Sequence, residues 1–189
     1  MIEAQGLSKS YGTVKALNQV SFSVRKGEVL GFLGPNGAGK TTFLHLLVGL
    51  KKPKAGQVWA FGAERSVEKE FVEVRARAGF LFQDPDDQLF CPTVLEDVAF
   101  GPLNLGKTRN QALEIAKQTL ASLGMAGFEE RITHQLSGGE KRMITLASVL
   151  AMEPDVLLLD EPSNALDTQA RQRLIDTLLC LPQAMVIIS

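Results

Sequence analysis

The chain has 189 residues, and its 20 Lys and Arg nearly balance its 21 Asp and Glu, so the formal net charge is −1. This balance argues against a broad nucleic-acid-binding surface, and a hydrophobic content of 45% argues against a disordered chain. Two cysteines cannot frame a disulfide-rich secreted fold, no apolar run approaches the ~18–20 residues that span a bilayer, and no secretory signal opens the chain, so we expect a cytoplasmic location.

The first predicted elements are two strands and a helix. Val20, Phe22 and Val24 alternate with serines, which is the pattern of a half-buried strand. A turn leads to a short apolar run over residues 28–33, which predicts a strand buried on both faces. Apolar residues at three- and four-residue steps then predict a helix over residues 40–50.

The rest of the chain alternates between short strands and helices. Thr108 is a predicted N-cap for a helix that ends at Gly124, whereas prolines and acidic residues between 84 and 106 predict no long element. Because strands and helices alternate, the sequence predicts an α/β fold with a parallel sheet, and the mostly helical middle third predicts an inserted lobe. Further strands are predicted at 58–61, 79–82, 156–159 and 185–188, and further helices at 139–151 and 168–181.

The strongest motif lies between the strand at 28–33 and the helix that follows it. It fits the pattern G-x-x-x-x-G-K-S/T, in which small residues let backbone N–H groups converge on a polyphosphate at a helix N-terminus. Lys40 can then reach the β- and γ-phosphates, and the Thr41 hydroxyl can ligate Mg²⁺. The alternative is a glycine-rich turn that matches by chance. The residues of the motif are Gly34, Pro35, Asn36, Gly37, Ala38, Gly39, Lys40, Thr41 and Thr42.

Two acids follow the apolar run at 156–159. The carboxyl ends of parallel strands are where ligands gather in such sheets, so Asp160 is a candidate Mg²⁺ ligand. Side chains alternate along a strand, so Glu161 is expected to point the other way and to polarise a water for attack on a γ-phosphate. The alternative is a solvated strand end.

A third motif precedes the helix at 139–151. Ser137, Gly138 and Gly139 place a hydroxyl and bare backbone at a helix N-terminus, which suggests a second anion site. The alternative is a capping serine followed by a flexible turn. The basic pair Lys141-Arg142 is interpreted as a solvated helix face.

Together, the three motifs in this order make the chain resemble an ABC-type ATPase. The resemblance covers essentially all 189 residues and implies a P-loop NTPase core with a parallel sheet, an N-terminal antiparallel β part and an inserted helical subdomain. It implies a single ATP-binding domain, with the core over approximately 1–82 and 152–189 and the helical subdomain over approximately 83–151. It also implies ATP hydrolysis with Mg²⁺ as cofactor.

The resemblance also implies roles for individual residues. Tyr11 would stack on adenine, Gln83 would sense Mg²⁺ and the attacking water, and Ala165-Leu166-Asp167 would form the loop after the acids, with Asp167 among the nucleotide-binding residues. Ser137 would face the γ-phosphate held by Lys40 of the partner subunit. Two anion sites in one chain suggest a nucleotide shared by two cassettes in a head-to-tail homo- or heterodimer that ATP closes and hydrolysis loosens.

A finer resemblance lies in residues 82–90, 92–94 and 96–102. These look like the ATPase subunits of energy-coupling factor importers, notably the cobalt and nickel branch, in which this stretch touches a transmembrane coupling subunit. The resemblance implies a peripheral position on the cytoplasmic face of the membrane and a further, substrate-binding membrane subunit. The alternatives are an importer of vitamins and a solvated acidic loop.

The sequence departs from the family at its last strand. In the family, a switch histidine and further strands follow that strand, whereas this sequence stops at Ser189, so we expect it to lack the C-terminal end of the domain. The last strand is expected between the strand that feeds the glycine motif and the strand that ends at Asp160. Two other functions remain open: a nucleotide-binding module with little hydrolysis, and a soluble ABC ATPase of DNA repair or translation.

Overall fold

The computed structural model describes residues 1–189, which divide into two compact units. One comprises residues 1–80, 155–160 and 183–189, and the other comprises residues 81–154 and 161–182. The chain changes unit at 80/81 and 154/155, compared with predicted boundaries at 82/83 and 151/152. Residues 161–182 cluster with the helical unit, although the sequence groups them with the core.

An antiparallel sheet forms the N-terminal part of the first unit, as expected. Its strand order is β2-β1-β4-β5, and Ile2 is paired with Val24 on one side and with Ala60 on the other. Ile2 and Ala4 are buried and alternate with exposed residues, which is the pattern that one packed face requires, and a register shift after Ala4 allows Leu7 to be buried as well. The strands are β1 (Ile2–Tyr11), β2 (Val14–Val24), β4 (Ala55–Ala60) and β5 (Ala63–Arg65).

A second sheet has the strand order β3-β8-β7-β6. Strand β8 pairs in parallel with both β3 and β7, which confirms the position expected for the last strand. All five residues of β7 are buried, as the sequence predicts. The strands are β3 (Val29–Phe32), β6 (Ala78–Leu81), β7 (Val156–Asp160) and β8 (Ala184–Ile188).

The prediction that β3 is buried on both faces is wrong. Val29 is 61% exposed and the following Leu33 is 86% exposed. Strand β3 is the edge of its sheet and pairs only with β8, and its residues alternate between exposed and half-buried, so neither of its faces is fully covered. An apolar run of this length does not distinguish an edge strand from a central one.

The helix after the glycine motif is anchored by aromatic packing. Phe43 of α1 (Lys40–Leu47) lies 5.2 Å from Phe32 of β3 and 4.9 Å from Phe22 of β2, measured between ring centroids. Both ends of the glycine loop therefore attach to one cluster. Helix α1 ends three residues earlier than predicted because the chain turns at Gly49, which has φ +74° and lies against Phe71.

Helix α2 (Glu68–Arg77) and the short strand β5 were not predicted. Only Phe71 and Val74 of the ten residues of α2 are buried. Two apolar positions in a charged segment are too few to predict a helix from hydrophobic periodicity.

The second unit is helical. Helix α3 packs against α4 and α5, and α5 packs against α6. Thr108 caps α4 as predicted, and α5 and α6 begin within one residue of their predicted starts. None of the six helices of the chain combines the length and the hydropathy needed to span a bilayer. The helices of this unit are α3 (Val94–Asn104), α4 (Arg109–Ser122), α5 (Gly138–Leu150) and α6 (Thr168–Leu179).

Helix α3 contradicts the expectation that residues 84–106 contain no long element. The Thr93 hydroxyl accepts from the Glu96 amide, and the Glu96 carboxylate accepts from the Thr93 amide, so a capping box starts the helix. Pro102 lies near the C-terminal end of the helix, where its missing N–H removes one hydrogen bond without stopping the helix.

Candidate nucleotide-binding site

The glycine loop joins β3 to α1 and is tied to the end of β8. The Gly34 amide donates to the Ser189 carbonyl at 3.2 Å. Gly37 and Gly39 have φ values of +80° and +90°, which favour glycine. A Cβ on Gly39 would also lie 2.2 Å from the Ala16 carbonyl oxygen, whereas a Cβ on Gly37 would meet nothing within 4 Å. Gly39 is therefore required by both conformation and space, and Gly37 by conformation alone.

The N-terminus of α1 has neither a capping side chain nor an acidic residue beside it, and its N-cap is Gly39. The Lys40 ammonium folds back over the loop and donates to the carbonyls of Gly34 and Pro35 at 2.5 and 3.2 Å. A helix N-terminus without a capping side chain and an ammonium group together give this loop a positive character, which fits a polyphosphate.

Tyr11 lies beside this helix at the end of β1. Its ring is 45% exposed, and the Lys51 and Lys9 ammonium groups lie 5.1 and 5.7 Å from its centroid. Hydrogen bonds, first from Lys51 and then from Thr42, lower the pKa of Tyr11. The fold thus brings the predicted aromatic residue to the predicted phosphate loop, in a basic environment that an anion favours.

Asp160 ends β7 at the same edge of the sheet. It is only 1% exposed, and its register partner is Ile188 of β8, which also pairs with Phe32 at the end of β3. Asp160 and the start of the glycine loop are therefore two strands apart, about 10 Å by strand spacing. No group of three or more His, Cys, Asp or Glu side chains that could hold a metal ion alone occurs in the chain.

Gln83 and Glu161 meet within the second unit. The Gln83 Nε2 donates to the Glu161 Oε2 at 3.4 Å, a long hydrogen bond. Glu161 has φ +43°, a left-handed conformation that is rare for residues other than glycine. The alternation rule therefore does not apply to Glu161, because the strand ends at Asp160 and Glu161 lies in the turn that follows it.

Ser137 caps α5 in a closed arrangement. Its hydroxyl donates to the Glu140 carboxylate at 2.8 Å, and the same carboxylate accepts from the Ser137 amide at 2.8 Å. Glu140 also forms an ion pair with Arg131 at 3.0 Å. The Ser137 amide and hydroxyl, and then Arg131, hold the pKa of Glu140 below its usual range. In this structure, the chain's own carboxylate lies where the sequence predicts an external anion.

The two glycines and Asp167 complete this region. A Cβ on Gly139 would lie 2.8 Å from the Cβ of Ala170, so α6 requires a glycine there. The Asp167 Oδ1 accepts from the Ala170 amide at 2.8 Å and caps α6. Ser137, Gly138, Gly139 and Asp167 share the wall of an open cleft of about 440 Å³.

Arg142 is the residue that the sequence misjudged most. It is 1% exposed, not solvated, and its guanidinium group donates to the carbonyls of Phe82 and Gln83. Helical spacing could have predicted this burial, because Arg142 lies four residues before the buried Leu146, on the same face of α5. Lys141, by contrast, lies near the surface and pairs with Asp86.

The sequence has many relatives with curated descriptions. A putative ABC transporter ATP-binding protein of Brucella suis is 53% identical over 92% of this chain and 72% of its own length. The energy-coupling factor transporter ATP-binding protein EcfA of Methanothermobacter thermautotrophicus is 47% identical over 95% of this chain and 58% of its own length. The cobalt import ATP-binding protein CbiO of Rhodobacter capsulatus is 44% identical over 94% of this chain and 64% of its own length. The chain thus spans about three fifths to seven tenths of these relatives.

Solved structures agree with this result. CbiO1 of Clostridium perfringens, described as part of the ABC transporter complex CbiONQ, matches with a TM-score of 0.86 and 31% identity over 100% of this chain and 77% of its own. The ATP-binding cassette MJ0796, in a dimer bound to ADP and phosphate, matches with a TM-score of 0.90 and 25% identity over 100% of this chain and 88% of its own.

A sequence model of the ABC transporter family matches residues 17–164, which include the glycine loop, the Ser137 region and both acids. The nucleotide-binding fold, the motifs and these relatives agree, and the chain belongs to the ABC transporter family of ATP-binding cassettes.

Proposed function

We propose that the chain is the ATP-hydrolysing subunit of an energy-coupling factor importer for cobalt or nickel ions, bound peripherally to the cytoplasmic face of the membrane. The observation that carries the ATPase part is the glycine loop, with its left-handed glycines, its uncapped helix and Lys40. The transport part rests on the relatives named for energy-coupling factor transport and cobalt import.

In this proposal, the residues of the first unit bind ATP. The loop amides and Lys40 hold the β- and γ-phosphates, and Tyr11 stacks on adenine, which contributes about 0.5–1.5 kcal/mol beyond burial. Thr41 and Asp160, with Gln83, would hold Mg²⁺ together with phosphate oxygens. That composition suits Mg²⁺, which binds through one or two carboxylates plus phosphates and not through a dedicated protein cage. The ion would supply charge neutralisation on the phosphates.

Glu161 is proposed as the general base. Its carboxylate accepts the proton of the water that attacks the γ-phosphorus, while the bond to the β–γ bridging oxygen breaks and ADP leaves. The hydrogen bond from Gln83 to Glu161 supports a shared task for the two side chains, in which Gln83 orients the carboxylate and the water.

The proposed assembly is a head-to-tail dimer with a second ATP-binding subunit. Ser137, Gly138 and Gly139, with Asp167, would face the nucleotide that Lys40 of the partner subunit holds. The shared cleft of Ser137 and Asp167 supports their grouping, and the dimeric state of the MJ0796 cassette supports the pairing. Because Glu140 occupies the Ser137 hydroxyl, pairing requires that this hydrogen bond be exchanged for one to phosphate.

The proposed membrane contact is an aromatic pair in the second unit. Phe90 and Phe100 are 64% and 41% exposed and meet edge to face, with centroids 4.7 Å apart. The buried Asp97 holds Phe90 in place, because its Oδ1 accepts from the amides of Phe90 and Cys91. We expect Phe90→Asp to abolish co-purification with the transmembrane coupling subunit and leave nucleotide binding unchanged. Undiminished co-purification would reject this contact. No nucleic-acid partner is proposed.

The function is tested by Glu161→Gln in the full-length protein that carries this sequence. Loss of the base predicts a fall in kcat for phosphate release of about 10²–10⁴-fold, with the Kd for ATP changed little. The exposed Glu130→Gln is the matched control, with wild-type rates expected. Unchanged turnover in Glu161→Gln would reject the role of Glu161. Wild-type protein that binds ATP but releases no phosphate would be a nucleotide-binding module, and uptake of a vitamin but not of cobalt or nickel would move the proposal to a vitamin importer.

A further inference from the structure

The second unit buries one full positive charge on α5. Arg142 is 1% exposed and lies five residues after Ser137. Its Nη1 donates to the Phe82 carbonyl at 2.7 Å, and its Nη2 donates to the Gln83 carbonyl at 2.5 Å. Burial of a guanidinium group is costly unless such hydrogen bonds compensate for it. The position of this charge therefore depends on the backbone that it contacts.

Two consecutive carbonyls cannot point the same way in an extended chain, because successive peptide groups alternate in direction. Both oxygens accept from one guanidinium group here, at the bend where the chain leaves β6. Arg142 therefore stabilises the bend that begins at Gln83. A guanidinium group suits this task because its donors form a rigid planar fork, whereas the three donors of a lysine ammonium rotate on a flexible stem.

The same helix holds the rest of the segment 82–88. Lys141 forms an ion pair with Asp86 at 2.6 Å. The Gln88 Nε2 donates to the Thr145 carbonyl and the Ser148 hydroxyl, both at 3.0 Å. None of these contacts from α5 involves the Gln83 side chain, which donates a hydrogen bond to Glu161 instead. The position of Gln83 is thus set from α5, the helix that Ser137 begins.

We propose that Arg142 is a positioning residue for hydrolysis, which acts by fixing the backbone carbonyls of Phe82 and Gln83 and so the place of the Gln83 side chain. This inference rests on the proposed ATPase function and assigns to it a residue outside the nucleotide-contacting motifs. Arg142 contacts neither nucleotide nor water in this role. Its effect passes through Gln83, which makes the inference separable from a general role in stability.

The experiment compares Arg142→Met, Arg142→Lys, Gln83→Ala and the double variant Arg142→Met/Gln83→Ala in the full-length protein. We expect Arg142→Met to lower kcat about 10–100-fold while the Kd for ATP changes less than about 3-fold, the pattern of an interaction used only in the transition state. Arg142→Lys is expected to fold, and its kcat should lie between those of wild type and Arg142→Met. Because Arg142 acts through Gln83, the kcat of the double variant should equal that of Gln83→Ala alone within about 3-fold.

Leu120→Ala is the control for lost stability. Leu120 is fully buried in α4 of the same unit, and its side chain forms no hydrogen bond with Arg142 or with residues 82–88. This variant should therefore lower the thermal midpoint but keep kcat per folded molecule. The inference is overturned if kcat in the Arg142 variants follows the thermal midpoint as in Leu120→Ala, if the effects of Arg142→Met and Gln83→Ala multiply, or if Gln83→Ala alone has no effect. Wild-type protein without hydrolysis would overturn the proposed function itself, and this inference with it.

Discussion

The N-termini of α1 and α5 carry similar glycine-rich sequences but differ in how they are capped. At α1, the N-cap is Gly39, no side chain caps the helix, and no acid lies in the first turn. At α5, Ser137 and Glu140 close a capping box. Both termini direct a positive dipole end outward. At the first no side chain caps the helix, whereas at the second a carboxylate of the chain itself accepts from the amide and the hydroxyl of Ser137.

Under the proposed function, this difference would separate a permanent anion site from a conditional one. The shape of the loop before α1 depends on the left-handed backbone of its glycines, which no side-chain movement can undo. At α5, an incoming phosphate must compete with Glu140 for the Ser137 hydroxyl. We expect α1 to bind nucleotide in a single chain and α5 to contribute only when a second cassette brings its own nucleotide.

The largest effect is expected at α1. Gly39→Ala adds a Cβ 2.2 Å from the Ala16 carbonyl at φ +90°, so the loop must move and the affinity for ATP should fall by about 100-fold or more. Gly37→Ala is the matched control, since it has φ +80° but open space. In this variant the only penalty is that of holding alanine in a left-handed backbone conformation, about 1–2 kcal/mol. Its loss of affinity for ATP should therefore be smaller than that of Gly39→Ala. Calorimetric titration with Mg·ATP measures both. Equal losses would mean that conformation alone, not close packing, shapes the loop.

A smaller effect is expected at α5. Ser137→Ala removes the cap and should cost about 0.5–2 kcal/mol of stability. Thr108→Ala is the control, because Thr108 forms the same capping box with Gln111 at the start of α4. Stability should fall similarly in both, as measured by urea unfolding. Only Ser137→Ala should also lower ATP turnover, by about 10-fold, if one donor to the phosphate is lost. Equal turnover in the two variants would leave Ser137 as a cap alone.

Glu140→Gln should sharpen the conditional site. Glutamine can keep the capping box but removes the negative charge that competes with phosphate. We expect ATP-driven dimerisation to become about 3-fold tighter, a change of about 0.65 kcal/mol at 25 °C by the relation between free energy and affinity. Analytical ultracentrifugation with a slowly hydrolysed nucleotide measures this change. Weaker dimerisation would contradict the competition between carboxylate and phosphate.

The smallest effect is a pH dependence of stability. Hydrogen bonds from Ser137 and the charge of Arg131 hold the pKa of Glu140 below its usual range. A carboxyl group with a lowered folded-state pKa stabilises the fold above its unfolded pKa of about 4.3, and this contribution is lost as pH falls below that value. Between pH 7 and pH 3.5, wild type should therefore lose slightly more unfolding free energy than Glu140→Gln. Parallel losses in urea unfolding would exclude this contribution.

The sequence predicted the parts of the fold that depend on local chemistry. Thr108 begins α4 and the helix after Ser137 begins as predicted, because cap residues act within one turn. The buried run at 156–159 forms β7, as its apolar composition predicts.

The predictions that were wrong concern features that depend on contacts between residues far apart in the sequence. Strand β3 is exposed because other segments of the chain do not cover its faces, and an apolar run does not encode that coverage. Helix α2 exists because Phe71 and Val74 are buried, while its other residues give no periodic signal. Arg142 was assigned to solvent because an arginine in a helix is usually exposed, but the carbonyls of Phe82 and Gln83 come from sixty residues earlier in the sequence.

The order of the motifs determined the family and the glycine loop by itself, because phosphate recognition uses backbone groups whose geometry depends on a few adjacent small residues. Only the tertiary structure decided that Ile188 aligns Asp160 with the end of β3, that Glu140 satisfies the N-terminus of α5, and that Arg142 holds Gln83. These arrangements depend on register, side-chain rotamers and burial, which are set by contacts between segments far apart in the chain.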